Sequence, residues 1–532
     1  MRIRSQNDVE NRHGYALLAV LVIIVLLTLA SYQYSELMYA ELHASDSSLR
    51  ALQAKAMADS GIHYAAALLS DPNSFTGTLN SNPYSNSTAF QGIQAFNDQV
   101  TGRIGRFSIL APVDPDNNTT GQTFLYGVTD ESGKININAL IKVDSTGQVA
   151  HDTLMKLPNM TEEIADAIID WIDGDDDPRP SGAESDYYSA LTPPYRCKNG
   201  PLDTLEELLM VRGVTAQLLF GSDTNRNGIQ DPGEDTGSGW TAGWAAYLTV
   251  YSRERNVDAD GNPRTFLNDS NLQTQHDTLT QSLGQALADF VSLYRTQTDT
   301  PASSTTATMS TAGGNTVVRV TVAQKSTPAT AQQISDKVSS VLKDTNSKGK
   351  TLSSRYELIG ASCSWTVGTG RNQQTVTLAS PLNDKNQLGT LLPLLLDKTS
   401  TQQAAELPGR VNLLTAPQTV LASLPGLTDS DVTAIMQVRP DMTQGAPTDT
   451  IFQTPAWLIT EANISTSKMQ TLERYVTSRT MVYRVQSLGQ FDQGGPFARV
   501  EAVIDTNNGQ PRIVMYRDLT MFGRGYSVTQ SQ

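Results

Sequence analysis

The sequence predicts an α+β protein in which one very long amino-terminal helix precedes a head of mixed helices and strands. Three observations predict this class. A helical pattern runs without a break from Tyr15 to about Ser70, helical segments joined by Gly- or Asn-containing corners fill much of the middle, and alternating strands close the chain after residue 479. Strands and helices that are segregated along a chain are typical of the α+β class.

The amino-terminal helix begins with 22 uncharged residues, from Gly14 to Ser35. That run is long enough to span a bilayer, which needs about 20 apolar residues. No proline occurs before Pro72, and beyond Gly14 the segment contains a single glycine, Gly61. At about 1.5 Å per residue the helix would be a rod of roughly 80 Å. Its first half is uniformly apolar, and its second half carries apolar residues at helical spacing among charges, so a membrane-buried half continues into an amphipathic one.

Two ordinary interpretations of this segment are a secretory signal peptide and a plain membrane anchor. A signal peptide has a shorter apolar run and a small-x-small cleavage site, which this segment lacks. A polar leader that ends in Gly14, followed by such a helix, resembles the type IV prepilin family. The resemblance implies cleavage by a prepilin peptidase between Gly14 and Tyr15, with methylation of the new amino terminus.

The fifth residue after that cut departs from the family pattern. Most prepilins have glutamate there, and this chain has Ala19. A carboxylate in lipid is costly unless it is paired, and in the family its partner is the amino terminus of a neighbouring subunit. A subunit without the glutamate can occupy the end of a filament, and its absence resembles the K-type minor pseudopilin of the type II secretion system.

A second stretch is similar to the K-type signature. Asp170, Trp171, Asp173 and Asp175 are followed in order by Gly-Ala-Glu at 182–184, Tyr-Tyr at 187–188 and Asn-Gly-Pro at 199–201. The resemblance implies a single-pass inner-membrane protein with its head in the periplasm, which caps the tip of the pseudopilus. Its implied partners are the I-type and J-type minor pseudopilins, the major pseudopilin, the prepilin peptidase and the inner-membrane secretion machinery.

Composition restricts the alternatives. The chain has 532 residues, enough for two to four domains, and a net charge of −15. An acidic surface argues against nucleic acid as a partner, because phosphate binding needs clustered Lys and Arg. Cys197 and Cys363 lie far apart in the sequence, and they are predicted either to pair in an oxidising periplasm or to stay free.

A repeated corner motif lies in the helical regions. The pattern apolar, any residue, Gly or Asn, apolar, Thr or Ser occurs at 157–161, 211–215 and 424–428, and more weakly at 462–465. Gly or Asn ends one helix in the left-handed conformation, and Thr or Ser caps the next. These helix-hairpin-helix corners can grip DNA phosphates, but the helix after the first one is strongly acidic. They are therefore interpreted as packing elements of SAM-like helical subdomains.

The segment "DTNRNGIQDPGE" at 223–234 matches the calcium-loop template D-x-[DN]-x-[DN]-G-x5-E. A hard cation of this kind takes six to eight oxygen ligands. The loop would supply them from six residues: Asp223, Asn225, Asn227, the carbonyl of Ile229, Asp231 and a bidentate Glu234. The sequence therefore predicts a Ca²⁺ site, and a hydrated acidic turn is the alternative.

A second acidic patch, "DGDDDPRPSGAESD", could hold another metal ion through Asp173, Asp175, Asp177 and Glu184, although its spacing fits no template. Paired carboxylates also occur in glycosidases, but no second motif supports that function. The sequence contains no arrangement typical of a catalytic triad, a phosphate loop or a nucleotide-binding fingerprint. An enzymatic role is therefore not expected.

These observations predict seven segments. They are a leader at 1–14, the transmembrane and spine helix at 15–70, the first part of a pilin-like core at 71–150, a helical insert with the calcium loop at 151–269, an extra α/β module with a Ser/Thr-rich linker at 270–405, a second helix-hairpin-helix subdomain at 406–478, and the final strands of the core at 479–532. Two functional alternatives remain: a membrane-anchored DNA receptor of a competence-type pilus, and a single-pass surface protein that is never cleaved at Gly14.

Overall fold

A computed structural model describes residues 11–116, 124–231, 233–234, 242–297, 307–312, 315–320, 326–344, 349–369 and 372–526. Most of the predicted leader, much of the predicted Ser/Thr-rich linker and Pro232 of the predicted calcium loop lie outside these residues.

Sixteen α-helices are present in the described residues. In chain order they are α1 Asn11–Ser70, α2 Pro72–Gly77, α3 Ser87–Phe90, α4 Ile137–Val143, α5 Gln148–Leu154, α6 Glu162–Ile172, α7 Ser185–Ser189, α8 Ala216–Phe220, α9 Leu272–Leu283, α10 Gln285–Thr296, α11 Ala331–Lys343, α12 Lys385–Lys398, α13 Gln418–Ser423, α14 Asp429–Val438, α15 Trp457–Thr460 and α16 Thr466–Leu472.

The strands of the described residues are mostly short outside one main sheet. They are β1 Ile93–Asp98, β2 Arg103–Pro112, β3 Phe124–Leu125, β4 Thr129–Asp130, β5 Ile135–Asn136, β6 Leu248–Thr249, β7 Arg253–Arg255, β8 Thr265–Phe266, β9 Ala307–Ala312, β10 Asn315–Val320, β11 Thr327–Pro328, β12 Ser362–Val367, β13 Gln374–Ala379, β14 Thr399–Ser400, β15 Glu406–Pro408, β16 Val411–Asn412, β17 Val476–Thr477, β18 Val482–Phe491, β19 Ala498–Asp505 and β20 Arg512–Asp518.

The main sheet is antiparallel and joins the two ends of the chain. Its order is β1-β2-β18-β19-β20, with β3 beside β2 and β4 beside β18. The second half of α1 lies on one face, where Met57, Ala58 and Ile62 share a buried core with Phe107 and Val500. The amphipathic half of the helix is thus held by the sheet, as its apolar spacing predicts.

Residues 131–481 form the connection between β4 and β18, and they contain the helical regions and the middle segment. Most of their apolar side chains share one large core that extends from Ile135 to Val476. Glu131 lies at the start of this connection and Arg484 just after its end, and Arg484 Nε donates to Glu131 Oε1 at 2.7 Å. The large insert therefore leaves and re-enters the sheet at one point.

The four predicted corners have the expected backbone. Asn159, Gly213, Gly426 and Asn463 all have positive φ, between 56° and 80°. The hydroxyl of the following Thr or Ser caps the next helix each time, as at Thr428, which accepts from the amide of Asp431. Local hydrogen bonding was sufficient to predict these turns because each one involves only neighbouring residues.

The alternation of Ile135 and Ile137 with Lys134, Asn136 and Asn138 predicts a strand with one buried face, and this prediction is only partly correct. Ile135–Asn136 pairs in parallel with Leu248–Thr249, but the chain then turns into α4. The Asn136 side chain causes this change, because its Oδ1 accepts a hydrogen bond from the amide of Ala139 at 3.1 Å. Capping at the second strand residue therefore outweighs the alternation of apolar side chains.

In the middle segment the sequence also predicts a single helix at "LTQSLGQALADFVSLY" and a strand at "RYELIGASC", and both predictions are wrong in detail. The sequence "LTQSLGQALADFVSLY" forms two helices, α9 and α10, because Gly284 has a φ of 87° between them. The stretch "RYELIGASC" begins as a 3₁₀ turn, Arg355–Leu358, with Ser354 as its cap, and the strand starts only at Ser362. Both cysteines are buried and free, so the disulfide alternative is excluded.

The contact between spine and sheet generates a stability prediction. A Cβ at Gly489 would lie 2.2 Å from the main-chain oxygen of Ala54 and 2.7 Å from the amide nitrogen of Ala58. We expect Gly489→Ala to lower the free energy of unfolding by roughly 1–3 kcal/mol, because main-chain atoms must shift. Gly77→Ala is the matched control, since a Cβ there meets nothing within 4 Å. Urea denaturation in detergent measures both, and equal effects of the two substitutions would contradict the predicted close packing.

Candidate functional site

The amino-terminal residues singled out by the sequence all lie in α1. Tyr15–Ser70 contains an 18-residue window with a mean hydropathy of 2.5, and in the described part of the chain it is the one helix long and apolar enough to cross a membrane. The side chains of Tyr15 and Ala19 are exposed, Tyr15 by 77%. An unburied apolar helix of this length needs lipid or neighbouring helices around it.

The predicted calcium loop forms a closed turn after α8. Asp223 accepts hydrogen bonds at both carboxylate oxygens, from the amide of Asn227 at 3.1 Å and from that of Gly228 at 2.8 Å. Gly228 has a φ of 79°, which the tight turn requires. The side-chain oxygen of Asn227 accepts from the amide of Ile229 at 2.9 Å. Because of these hydrogen bonds, the main chain of the first half of the loop curves around the side chains of Asp223 and Asn227.

The second half of the loop closes onto the first. Asp231 Oδ2 accepts from the side-chain amides of Asn225 at 2.6 Å and Asn227 at 2.7 Å. Glu234 Oε1 accepts from the amide and the hydroxyl of Thr224, both at 2.9 Å, and its Oε2 accepts from the amide of Asp231 at 3.0 Å. The five side chains expected to bind Ca²⁺ therefore come together in one loop.

The electrostatics of the loop suit a cation. Burial, together with the charge of Glu234, raises the pKa of Asp223 to about 6. Among the described residues, no three His, Cys, Asp or Glu side chains are grouped so as to hold a metal ion by themselves. The donor set of this loop is nevertheless appropriate for Ca²⁺, because this ion accepts amide and main-chain carbonyl oxygens beside carboxylates. Asn225, Asn227 and the carbonyl of Ile229 would have to complete the coordination.

The loop also contacts the main sheet. The Tyr526 hydroxyl donates to the main-chain oxygen of Asn227 at 2.8 Å and lies 3.0 Å from Gln486 Oε1 on β18. Arg499 on β19 donates to the carbonyl of Asn225. The Ile229 side chain is buried with Leu110 and Leu488. A rigid loop would therefore hold the insert against the sheet.

The second acidic patch lies at the end of α6 and contains unpaired oxygens. Glu184 is only 4% exposed, and neither of its carboxylate oxygens has a hydrogen-bond partner in the described residues. Asp173 Oδ1 and Asn199 Oδ1 are also buried and also lack a hydrogen-bond partner in the described residues. Buried carboxylate oxygens without a partner are costly, so this group of oxygens could accept a cation.

The pKa values of the patch point in the same direction. Burial raises the pKa of Glu184 to about 7; the neighbouring Cys197 thiol opposes this effect, and the charges of Asp170 and Asp173 add to it. Burial, with Asp175 and Asp170 nearby, raises the pKa of Asp173 to about 6. A bound cation would reverse these shifts by favouring the ionised carboxylates.

The residues that form the buried part of this patch differ from the predicted ones. Asp175 and Asp177 are exposed, and Asp175 Oδ1 accepts from the amide of Asp177 at 3.0 Å. Asp170, which the sequence analysis did not include, is fully buried and its pKa is raised to about 6. Its position in the last turn of α6, three residues before Asp173, was a signal that the two carboxylates lie close together. Asn199 was also missed, because its approach depends on tertiary structure.

Glycine and aromatic residues of the same signature support the patch. A Cβ at Gly182 would lie 1.9 Å from Asp170 Oδ2, so the Asp170 carboxylate requires glycine there. Trp171 and Tyr188 pack edge to face with ring centroids 5.0 Å apart, and Tyr188 stacks on Tyr195 at 5.2 Å. The signature residues therefore form one contiguous cluster of acids and rings.

Comparison with known proteins identifies this region. The family model of the type II secretion system protein K, first domain, matches residues 133–220. Type II secretion system protein K of Pectobacterium carotovorum is 38% identical over 89 residues, which cover 16% of this chain and 27% of that protein. The putative type II secretion system protein K of Escherichia coli K12 is 33% identical over 109 residues, covering 18% of this chain and 33% of that protein.

A protein of the same name from Pseudomonas aeruginosa is 31% identical over 111 residues, covering 19% of this chain and 33% of that protein. The crystal structure of the GspK-GspI-GspJ complex of the enterotoxigenic Escherichia coli type 2 secretion system aligns over 90% of this chain and 99% of that chain, at 12% identity and a TM-score of 0.36, which is too low to compare the folds. The chain spans about a third or less of the length of the first curated relatives it matches. Residues 133–220 of this chain are therefore similar to the first domain of the type II secretion system protein K.

Proposed function

We propose that this chain is a minor pseudopilin that caps the tip of a type II secretion pseudopilus. The observation that carries the proposal is the combination of a K-family domain with a long, exposed apolar helix that has Ala19 at the fifth position after the predicted cleavage site. The relatives are named as secretion system proteins, and the proposal includes no catalytic role.

The spine would pack beside the spines of neighbouring subunits. Tyr15, Ala19 and the residues up to Leu42 are exposed, whereas the helix is buried against the sheet from about Ala54 onward. The exposed half is therefore available to lipid before assembly and to other spines after it. A filament subunit without a carboxylate at residue 19 does not need the amino terminus of a preceding subunit as its ionic partner.

The size of the head supports a terminal position. Residues 131–481 form an insert beyond the sheet that the spine holds, and this insert has its own large core. A head of this size beside the spine would obstruct another subunit stacked above it. The I-type and J-type minor pseudopilins, the major pseudopilin, the prepilin peptidase and the inner-membrane machinery are the proposed partners, with the head in the periplasm.

We also propose that Ca²⁺ binds the loop at 223–234 and, as a second site, the patch around Asp173 and Glu184. The first site would keep the insert in place on the sheet, because Asn225 and Asn227 both contact sheet-side residues. The second would compensate the unpaired Glu184 carboxylate. Both sites are supported by converging oxygen donors, and neither involves a reaction.

The competing function is DNA uptake through the helix-hairpin-helix corners. The helix after the corner at 157–161 begins with Glu162 and Glu163, and that after 424–428 with Asp429. Lys468 beside the last corner is paired with Asp431 at 2.5 Å. Such corners would repel a phosphate backbone. Tight, salt-dependent binding of duplex DNA to the purified protein would favour the competing function instead.

The first prediction of the proposal concerns Ca²⁺ and thermal stability. Saturating Ca²⁺ should raise the Tm of the chelator-treated protein by roughly 2–6 °C, because the ion binds the folded state preferentially. Glu234→Gln should remove a large part of this increase. Glu461→Gln, a change at an exposed glutamate outside both sites, should leave it intact. An increase of the same size in all three proteins would remove the loop from the proposal.

A second prediction concerns pH. In the metal-free protein the pKa values of Asp223, Asp173 and Glu184 are raised to about 6, 6 and 7. The folded protein therefore binds more protons than the unfolded chain between about pH 4 and 7, and its stability falls as pH rises through this window. In EGTA the Tm should decrease from pH 5 to 7.5, and Ca²⁺ should reduce that decrease.

The control for this pH dependence is Glu184→Gln, which should flatten the EGTA profile because the uncharged amide does not titrate. Differential scanning fluorimetry at constant ionic strength measures all the profiles. Parallel profiles in EGTA and Ca²⁺ would show that these carboxylates do not bind the ion.

A third prediction tests tip placement. Intact mass should first show that the mature chain begins with methylated Tyr15. Ala19→Glu should then move the protein from the filament end to positions along the filament, since it supplies the missing carboxylate. Ala16→Glu is the control, because it adds the same charge three residues earlier. Immunogold labelling locates the subunit, and an unchanged terminal position of the Ala19→Glu protein would contradict the proposed role of residue 19.

A further inference from the structure

Four arginines line one small cavity between the middle segment and the second helical region. They are Arg264 after β7, Arg355 in a 3₁₀ turn, Arg410 beside β16 and Arg479 after β17. Among the described residues the cavity has no carboxylate in its lining, and its other lining residues are uncharged: Leu396, Gln453, Thr454, Pro455, Thr477 and Ser478. A cavity with cationic walls in a protein of net charge −15 is an unusual local environment.

The acids that pair with these arginines lie behind the cavity wall. Glu254 accepts from Arg410 Nε at 3.0 Å and from Arg264 Nη1 at 3.3 Å. Glu473 pairs with Arg355, and Asp397 with Arg479. Asp397 is also 3.5 Å from Lys398, whose ammonium group binds two further aspartates, Asp258 and Asp260. The carboxylates therefore fix the arginines in place from outside.

Three of these arginines have hydrogen-bonding capacity that the acids do not use. Within the described residues, Arg264 Nη2, Arg355 Nη2 and Arg410 Nη1 donate no hydrogen bond. None of the three belongs to the fully enclosed polar atoms that lack a partner. The side chains of Arg355 and Arg410 are each only 8% exposed. Nearly buried arginines that each keep an unused N–H group therefore line a small accessible space.

The hydroxyls around the cavity are also available as donors. The Ser478 hydroxyl accepts from Trp457 Nε1 at 3.4 Å, and the Thr477 hydroxyl accepts from the amide of Arg479 at 3.3 Å. In the described structure neither hydroxyl donates to another group. Donors outnumber acceptors on this surface, so the complementary ligand is an acceptor with negative charge.

The positive charges of the four arginines repel one another, and this repulsion is visible in the pKa of Arg264. The pKa of Arg264 is lowered to about 9, because burial and the charges of Arg410, Arg479 and Arg355 outweigh the opposing effect of Glu254. An anion near these guanidinium groups would relieve that repulsion.

The size of the cavity restricts the ligand. Its volume is about 10 Å³, which is close to the roughly 10–15 Å³ that one water molecule requires. A single-atom anion fits this space, whereas a tetrahedral oxyanion would need the side chains to move. We propose that this cavity binds one halide ion, with chloride as the physiological ligand, and that the ion holds the middle segment against the second helical region.

The test uses the full chain in detergent at fixed free Ca²⁺. Crystals grown in sodium bromide should show an anomalous bromide peak in the cavity among Arg264, Arg355, Arg410 and Arg479. Water density without an anomalous signal there, in crystals with bromide bound elsewhere, would overturn the proposal. This measurement needs no variant, so it does not depend on the tolerance of the fold to substitution.

A solution measurement separates specific binding from binding at crystal concentration only. Replacing sodium gluconate by sodium chloride at constant ionic strength should raise Tm by roughly 1–2 °C at a tenfold excess over Kd, and the rise should saturate. Arg264→Gln should lose most of this increase. Arg512→Gln, which removes the same charge from an exposed strand position, should retain it. A non-saturating rise, or an equal rise in both variants, would overturn the proposal.

Discussion

The buried carboxylates of Asp130 and Glu131 are the interaction on which the architecture depends. Asp130 Oδ2 accepts from Asn412 Nδ2 at 2.8 Å and from the hydroxyls of Thr415 and Thr480 at 2.6 and 2.7 Å. Burial would raise the pKa of Glu131, but Arg484 and Lys134 outweigh it and hold that pKa at about 2. A buried charge is tolerated only when it is fully paired. These two acids therefore join the start of the insert to its second helical region and to the strand where it ends, and the head depends on their full pairing.

The predicted calcium loop adds a second connection between the insert and the main sheet. Its main-chain oxygens at Asn225 and Asn227 accept from Arg499 and Tyr526, which belong to the last part of the chain. The insert is thus attached to the sheet at its root and again at the loop. For a subunit proposed to sit at a filament tip, two attachments would transmit force from the spine to the head without bending. The proposed halide would serve the same purpose within the insert.

Sequence reasoning succeeded where structure depends on neighbouring residues and failed where it depends on distant ones. The long helix, the four corners and the three final strands were predicted correctly, because periodicity and capping identify them locally. The strand predicted at Ile137 was wrong, because Asn136 caps a helix whose apolar face joins the insert core. The single helix predicted across Gly284 was wrong because this glycine adopts a positive φ. In the acidic patch, Asp173 and Glu184 were anticipated, and the tertiary partner Asn199 was not.

The sequence by itself determined the apolar spine, the residue at position 19, the spacing of oxygen donors from Asp223 to Glu234 and the K-type signature. Each of these features needs only helical or loop geometry over a few residues. Tertiary structure alone decided that β2 pairs with β18, that Glu184 is buried with unpaired oxygens, and that Arg264, Arg355, Arg410 and Arg479 surround one cavity. Those arrangements join residues that are far apart in the chain. They arise from burial of shared apolar surface, and because the hydrophobic effect is not directional, the sequence does not specify which distant segments meet.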